Sequence, residues 1–469
     1  MDYEGFKGHV RESAEKFKQL DKNETIRLIG HLDADGITAS SLMIKLLNKE
    51  NRKYSISIVT QLKKEIIDSL ARESYKYYVF TDLGAGQLSY IQEKLKDKKV
   101  FVLDHHEPEK VDNEIVHVNP HLFGIDGGKE ISGAGVVYYF TKSINPEMEK
   151  FAHIAIIGAI GDIQEDNGFL PLNNEILEDA KKHGNMKVIQ GLRIFGAQTR
   201  PLHKVLEYCT MPYIPGVTGS ESGAIQFLQQ LGINPKKGTT WKKLVDMDKE
   251  EIQKLCTGVI MKRLGEDNPE EILGNVYILP NEDKGSPTRD AKEFSTLLNA
   301  CGRMNKASVG IGACLGDEKT KKRAISGLQD YKREIVNAIK WYEKSKGTSD
   351  VIQKEGFIIM NAKDNILPTI VGTLASIVSR FNDIQDGTYI LSIADLLDGT
   401  LKASIRVAGI NQKVDLHEII KTITDKIEGC EAGGHMHAAG ALIPAEKEQE
   451  FLTIATEILE KKGIEECVH

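Results

Sequence analysis

Residues 25–49 read TIRLIG, then HLDADG, then ITASSLMIKLLNK, and the order of these three pieces decides the fold. The first is a short apolar, β-rich run. The third carries apolar residues at three- and four-residue spacing, as expected of a helix with one buried face. A buried strand that passes within a few residues into such a helix is the unit from which a helix-covered parallel sheet is built. The middle piece holds His31, Asp33 and Asp35, and strand-like alternation would send both aspartates to one side at the strand's carboxyl end.

Working outward, the strand pattern returns at SISIVT (55–60), YYVFT (77–81) and KVFVL (99–103), with helix-like stretches between them such as QLSYIQEKLK (87–96). It continues to about residue 160. A less regular zone, punctuated by proline and glycine, follows at about 200–272. From GNVYILP (274–280) a second alternating unit begins. Ser286 and Pro287 are expected to cap and open the helix that holds EFSTLLNA. A charged helix at about 317–346 follows, then strands at GFIIM, TYILSIAD and KASIRV and a last helix near 446–461. The expected division is 1–195, 196–272 and 273–469: an α/β domain with a parallel sheet, an intervening insertion, and a second α/β domain. There is no repeat of fixed period.

The 469 residues are too many for one ordinary core. Apolar residues make up 41% and charged residues 28%, with no apolar run of membrane-spanning length and no signal-type start. The expectation is a folded cytoplasmic protein without membrane attachment. Six scattered cysteines form no CxxC pair and read as packing thiols. The net charge of −7 argues against a general polyanion binder. Carboxylates that hold divalent cations nevertheless count as negative while creating a positive site, so a nucleic-acid substrate is not excluded.

Four acidic or histidine-bearing motifs each follow an apolar run within the first 165 residues. They are HLDADG after TIRLIG, Asp82 after YYVFT, Asp104-His105-His106 after KVFVL, and Asp162 after AHIAIIGAI. Ligands of open α/β sheets bind beyond the carboxyl ends of strands, so these side chains are expected to converge in one crevice. Carboxylates with imidazoles and no thiolate suit manganese, or magnesium with lower affinity. Two such ions roughly 3.5–4 Å apart, sharing a carboxylate, would hydrolyse a phosphate ester.

With these motifs in place, the chain resembles the DHH phosphoesterases. The resemblance implies two divalent cations. It makes Asp33 and Asp35 ligands to different ions, Asp82 the bridging ligand, His105 and Asp162 further ligands, and His31 a ligand or close neighbour. It gives catalytic roles to Asp82, Asp104 and His106, with His106 facing the scissile phosphate. The turn at Ser132 and Gly133 resembles a phosphate-contacting loop, with close helix packing as the alternative. Gly433, Gly434 and His435, in GGHMHAAG, look like the substrate-gripping loop of the DHH-associated C-terminal domain, and Arg303 and Arg406 are the cations expected to pair with phosphate.

The insertion and EFSTLLNACGR bring the chain near the archaeal RecJ-like proteins. That likeness implies an exonuclease acting on single-stranded nucleic acid, 5′→3′ on DNA, in replication or repair, with docking to the GINS complex in some members. The alternatives are a 3′→5′ exonuclease on RNA, a short-oligonucleotide phosphodiesterase, and a non-catalytic replication scaffold.

Overall fold

Strands β1 (Ile26–His31), β2 (Tyr54–Val59), β3 (Tyr77–Thr81), β4 (Lys99–Leu103) and β5 (Val116–Val118) form a sheet ordered β2-β1-β3-β4-β5, parallel throughout. The computed structural model that shows this describes residues 1–467 except 112–113, 167, 210–212, 267, 382 and 410–413. The helices of this region are α1 (Tyr3–Lys18), α2 (Ala34–Lys49), α3 (Lys64–Ala71), α4 (Leu88–Lys94), α5 (Gly133–Ile144), α6 (Ala152–Gly161) and α7 (Pro171–Lys182).

Strand alternation sorts the core. Ile29, Phe80 and Val102 lie side by side in register and pack with Ile67, Leu70, Leu88 and Ile91 of α3 and α4. Leu28, Val79 and Phe101 alternate to the other face, where α2 and α5 lie against the strands. Each fully buried side chain of this size contributes on the order of 1.5–3 kcal/mol. Because the strand order reverses between β1 and β3, the chain leaves these neighbours in opposite directions and opens a crevice at their carboxyl ends.

The insertion has its own core. β6 (Lys187–Leu192) pairs antiparallel with β9 (Leu273–Ile278). Between them come α8 (Leu202–Glu207), α9 (Glu221–Gln230), the short hairpin β7 (Lys236–Lys237) and β8 (Thr240–Trp241), and α10 (Lys249–Lys262). Leu202, Leu206, Phe227, Leu228, Leu255 and Val259 pack together here.

Helices α11 (Ala291–Arg303) and α12 (Ala307–Leu315) then return to pack on α2, and α11 also on α6. The expected cap at Ser286 is not the one used. Ser286 sits in a turn, its amide on the Asp283 carbonyl and its hydroxyl with Thr288, while Asp290 caps α11 by accepting from the amides of Lys292 and Glu293. An aspartate held next to two amides satisfies more of the helix start than a serine engaged in a turn.

The chain divides into two compact units, Met1–Gly327 and Leu328–His469. Residues 273–327 thus pack with the first unit, whereas the sequence reading opened the second domain at 273. Helix α13 (Glu318–Ser345) spans the division.

The second unit is built on a sheet ordered β10-β11-β12-β13-β15-β14, with β10 (Val351–Lys354), β11 (Phe357–Asn361), β12 (Tyr389–Asp395), β13 (Thr400–Val407), β14 (Glu431–His435) and β15 (Ala438–Pro444). Only β11 and β12 pair in parallel. Helices α14 (Val371–Val378), α15 (Leu416–Thr424) and α16 (Glu448–Cys467) accompany it, and Phe357, Leu391, Ile405, Ile420 and Phe451 lie in its core. Both units are mixed α/β, as the sequence implied. The glycine-rich segment read as a loop is instead edge strand β14, in which Gly433 pairs with Gly440 and Gly434 with Ala439.

Candidate metal centre

The carboxyl ends of three adjacent strands deliver the first donors. His31 ends β1, Asp82 directly follows β3, and Asp104-His105-His106 directly follows β4. Asp162 arrives from the other direction, as the C-cap of α6. Asp33 and Asp35 reach the site differently from the strand alternation expected of them. Asp33 is the N-cap of α2, its Oδ1 accepting from the Gly36 amide at 2.9 Å, and Asp35 lies in the first helical turn. The β1 strand ends at His31, so a helix start rather than a pleat brings the two carboxylates together.

Six of these side chains converge. His31 Nδ1 lies 3.0 Å from Asp33 Oδ2 and 3.5 Å from Asp82 Oδ2. His105 Nε2 lies 3.3 Å from Asp82 Oδ1, 3.4 Å from Asp162 Oδ2 and 3.8 Å from Asp35 Oδ2. The two oxygens of Asp82 therefore face two different donor groups. Asp82 is 1% exposed and adopts a left-handed φ of 60°, a strained conformation for a residue with a side chain.

Helix α5 frames the centre. The amides of Gly133 and Ala134 donate to the two Asp35 oxygens at 2.6 and 3.0 Å, and Ser132 caps the helix through the Gly135 amide. The turn expected to contact phosphate thus holds a carboxylate. A Cβ on Gly133 would lie 2.4 Å from Asp82 Oδ1, so only glycine admits the helix this close.

His106 behaves differently from its neighbour. Its Nδ1 bonds Asp104 Oδ1 at 2.7 Å, and Asp104 is itself fixed by the amides of Ala85 and His105. The His106 side chain is 36% exposed against 5% for His105. Asp104 is therefore an orienting group for His106.

The electrostatics of the cluster suits bound cations. Burial, with the charges of Asp82 and Asp33 behind it, pushes the Asp35 carboxyl up to about 7. Burial and the Asp35 charge likewise raise Asp162 well above the carboxylate range. Burial pushes the His105 imidazole down, but Asp82, Asp162 and Asp35 together outweigh it and raise its pKa. So many carboxylates cannot all ionise in one buried place without positive charge between them. Both Asp82 oxygens, His31 Nδ1 and His105 Nε2 are buried without a hydrogen-bond partner among the described residues, and such atoms cost free energy unless something coordinates them. Three overlapping donor groups have ligand atoms close enough to share an ion: His31, Asp33 and Asp82; Asp35, His105 and Asp162; and Asp82, His105 and His106. Oxygen and imidazole donors without thiolate fit manganese or magnesium.

Among the residues that shape the centre without a signal in the sequence is one on α11. Asn299 of α11 accepts the Ala34 amide at 2.9 Å and so holds the HLDADG turn. No spacing rule points to it, although it lies in the EFSTLLNACGR stretch already singled out. Arg303 follows one helical turn later. The remaining expected substrate residues lie in the second unit. Arg406 on β13 donates to Ser376 Oγ at 3.0 Å and to the Ile405 carbonyl, while Gly433 and Gly434 lie on β14; the His435 side chain lies outside the described residues.

Comparison with known proteins gives three family matches: the DHH family N-terminal domain over residues 25–159, the DHH-CID domain over 194–276 and the DHHA1 domain over 358–461. The chain is 31% identical over 463 residues to the protein MJ0831 of Methanocaldococcus jannaschii, covering 95% of each. It is 26% identical over 178 residues to the single-stranded-DNA-specific exonuclease RecJ of Bacillus subtilis, covering 35% of this chain and 22% of that one. Among solved structures, an exonuclease RecJ bound to manganese matches with a TM-score of 0.57 at 17% identity, covering 98% of this chain and 96% of that one. CDC45 from Entamoeba histolytica matches with a TM-score of 0.60 at 12% identity, covering 98% and 99%.

Proposed function

The chain belongs to the DHH family, and from that premise we propose that it is a metal-dependent exonuclease that hydrolyses phosphodiester bonds in single-stranded nucleic acid. The observation that carries the proposal is Asp82, a buried carboxylate whose two oxygens make no hydrogen bond among the described residues and face two separate donor groups. A pair of divalent cations, when bound, supplies Lewis-acid chemistry, acidifying water and neutralising charge on phosphate oxygens.

The protein's own residues divide the remaining work. His31, Asp33 and Asp82 would hold one cation, and Asp35, His105 and Asp162, with Asp82, would hold the other. His106, its Nδ1 committed to Asp104, donates from Nε2 to the phosphate oxygen on which charge develops. Because Asp82 and His105 are buried, the scissile phosphate must come down to them. A flexible single strand can do so, whereas a stiff duplex cannot. In the second unit, Arg406 and the backbone of Gly433 and Gly434 are proposed to hold phosphates further along the strand, with Arg303 doing so in the first. The three-part division 1–195, 196–272 and 273–469 belongs to the same proposal as a functional partition.

The relatives named for single-stranded DNA favour DNA as the substrate; the 5′→3′ direction is proposed from the resemblance to RecJ-like proteins alone. The deciding experiment uses 5′-labelled DNA and RNA of one sequence with manganese. Early release of labelled mononucleotide from DNA supports the reading, and a shortening ladder that keeps the label, above all on RNA, reverses its polarity. Activity confined to two- to five-mers identifies a short-oligonucleotide phosphodiesterase. No hydrolysis with manganese bound leaves a replication scaffold, a role disfavoured because a silent protein has no need to bury mutually repelling carboxylates. Docking to GINS rests on family alone, and co-purification of the two tests it.

A further inference from the structure

One turn of chain bears on both nitrogens of His105, directly at Nε2 and through the Gly127 carbonyl at Nδ1. Helix α6 ends with the Ile163 amide on the Ile160 carbonyl at 3.1 Å and the Gln164 amide on the Ala159 carbonyl at 3.0 Å. This is the paired closure of a left-handed helix stop. Ile163 occupies the left-handed position at φ 60° and is 62% exposed. The turn sends the residues on either side of Ile163 to opposite ends of one imidazole. Asp162 Oδ2 lies 3.4 Å from His105 Nε2. Gln164, 7% exposed, donates from Nε2 to the Gly127 carbonyl at 3.0 Å, and the same carbonyl receives His105 Nδ1 at 2.7 Å.

A carbonyl oxygen has two lone pairs, and both are engaged here. With Nδ1 donating its proton to Gly127, Nε2 is the nitrogen that carries a ligating lone pair. The Gln164 amide has a single workable orientation, because fully buried Asn173 donates from Nδ2 to its Oε1 at 2.7 Å. The reverse orientation would set an oxygen against the Gly127 oxygen. Gly127 itself is pressed so close that a Cβ would lie 1.8 Å from the His105 carbonyl oxygen. Its amide bonds His121 Nε2 at 3.3 Å. Gly128 and Lys129 beside it are exposed, and their turn is tied to Asp126, the Gly128 amide on its Oδ1 at 2.9 Å and the Lys129 amide on its carbonyl at 3.1 Å.

We propose that Gln164 is a positioning residue of the metal centre: with Asn173 behind it, it holds the Gly127 carbonyl that fixes the ring of His105. The inference rests on the proposed metal centre. Partners that hold a ligating histidine from behind change metal affinity by about 10–100-fold when removed, and Gln164, one step further back, belongs at the lower end.

The test replaces Gln164 by methionine, which keeps the bulk and removes the donor, in the full chain. Two readouts are taken. In metal-free protein labelled with nitrogen-15 histidine, the His105 Nδ1 proton of the wild type is expected as a hydrogen-bonded resonance that exchanges slowly with water. Gln164→Met should speed that exchange about tenfold or more. In calorimetric titration with manganese alone, the variant should bind about tenfold more weakly, with the melting temperature of the metal-free protein within a few degrees of wild type. Unchanged exchange together with unchanged manganese affinity overturns the proposal, and so does a lowered melting temperature with both readouts unmoved. Asn173→Ser, which frees the Gln164 amide without touching Gly127, should shift both readouts in the same direction and stands in if Gln164→Met does not fold. If the wild type binds no manganese, the metal reading fails, while the proton-exchange comparison still decides the role of Gln164.

Discussion

The centre in the first unit and the glycine-rich edge in the second solve opposite problems. In the first, carboxylates that repel one another are buried, and several of the site's side chains are aimed by a partner: Asp35 by the amides of α5, His106 by Asp104, His105 by Gly127. In the second, β14 is an edge strand whose glycines offer backbone and little side chain. Under the proposed function, chemistry on one phosphate requires charged groups fixed to within about 0.5 Å, whereas holding a strand of any sequence requires repeated, tolerant contacts. Precision is concentrated where charge is buried, and tolerance where backbone is exposed.

The hardest blow to this contrast should come from Asp82. Asp82→Ala is expected to lower hydrolysis of single-stranded DNA more than a hundredfold and to reduce manganese stoichiometry, with the fold retained by circular dichroism. A folded variant that keeps more than about a hundredth of the activity removes Asp82 from the bridging position. His106→Ala should lower kcat about a hundredfold with calorimetric manganese binding near wild type; lost metal binding would make His106 a ligand rather than a phosphate contact.

Across the divide, Arg406→Ala should raise KM for a long strand about tenfold, in line with loss of one charge-assisted contact, and raise KM for a dinucleotide less. Equal effects on both substrates would erase the distinction between chemistry and grip. Manganese at about a hundred times its dissociation constant should stabilise the protein by about 2.7 kcal/mol, seen as a melting temperature that falls on chelation, and Asp82→Ala should abolish most of that difference. The smallest effect concerns Ile163. Glycine there relieves a left-handed isoleucine, a gain of about 1–2 kcal/mol offset by about 0.5–1 kcal/mol from the freer unfolded chain. Ile163→Gly should thus stabilise the metal-free protein by about 0–1.5 kcal/mol in urea unfolding.

Much of the first unit was legible because strands, apolar alternation and strand-end aspartates are local signals. YYVFT followed by Asp82 and KVFVL followed by Asp104 each appear where the sequence put them. What was misread involves choices that depend on neighbours. Asp33 and Asp35 follow a strand in sequence, but α2 begins at once and turns them into a cap and a first-turn residue. Gly433 and Gly434 look like a loop in composition, yet partners on β15 make them a strand. Gln164, Asn173, Gly127 and Asn299 carry no periodicity, and only the folded chain brings each to its partner. The packing of residues 273–327 with the first unit is illegible for the same reason, since α11 joins it through contacts to α2 and α6.

The bond between Ala34 and Asn299 also sets an order of events in synthesis. Ala34 leaves the ribosome 265 residues ahead of its partner, so at roughly 5–20 residues per second it waits for ten seconds or more before that partner exists. During this interval the turn that carries Asp33 and Asp35 has an amide without its native acceptor, and the whole insertion is made before the acceptor appears. This turn is therefore finished only after the insertion that follows it has been made, and a ribosome stalled within the insertion would display the HLDADG motif without the clasp that completes it.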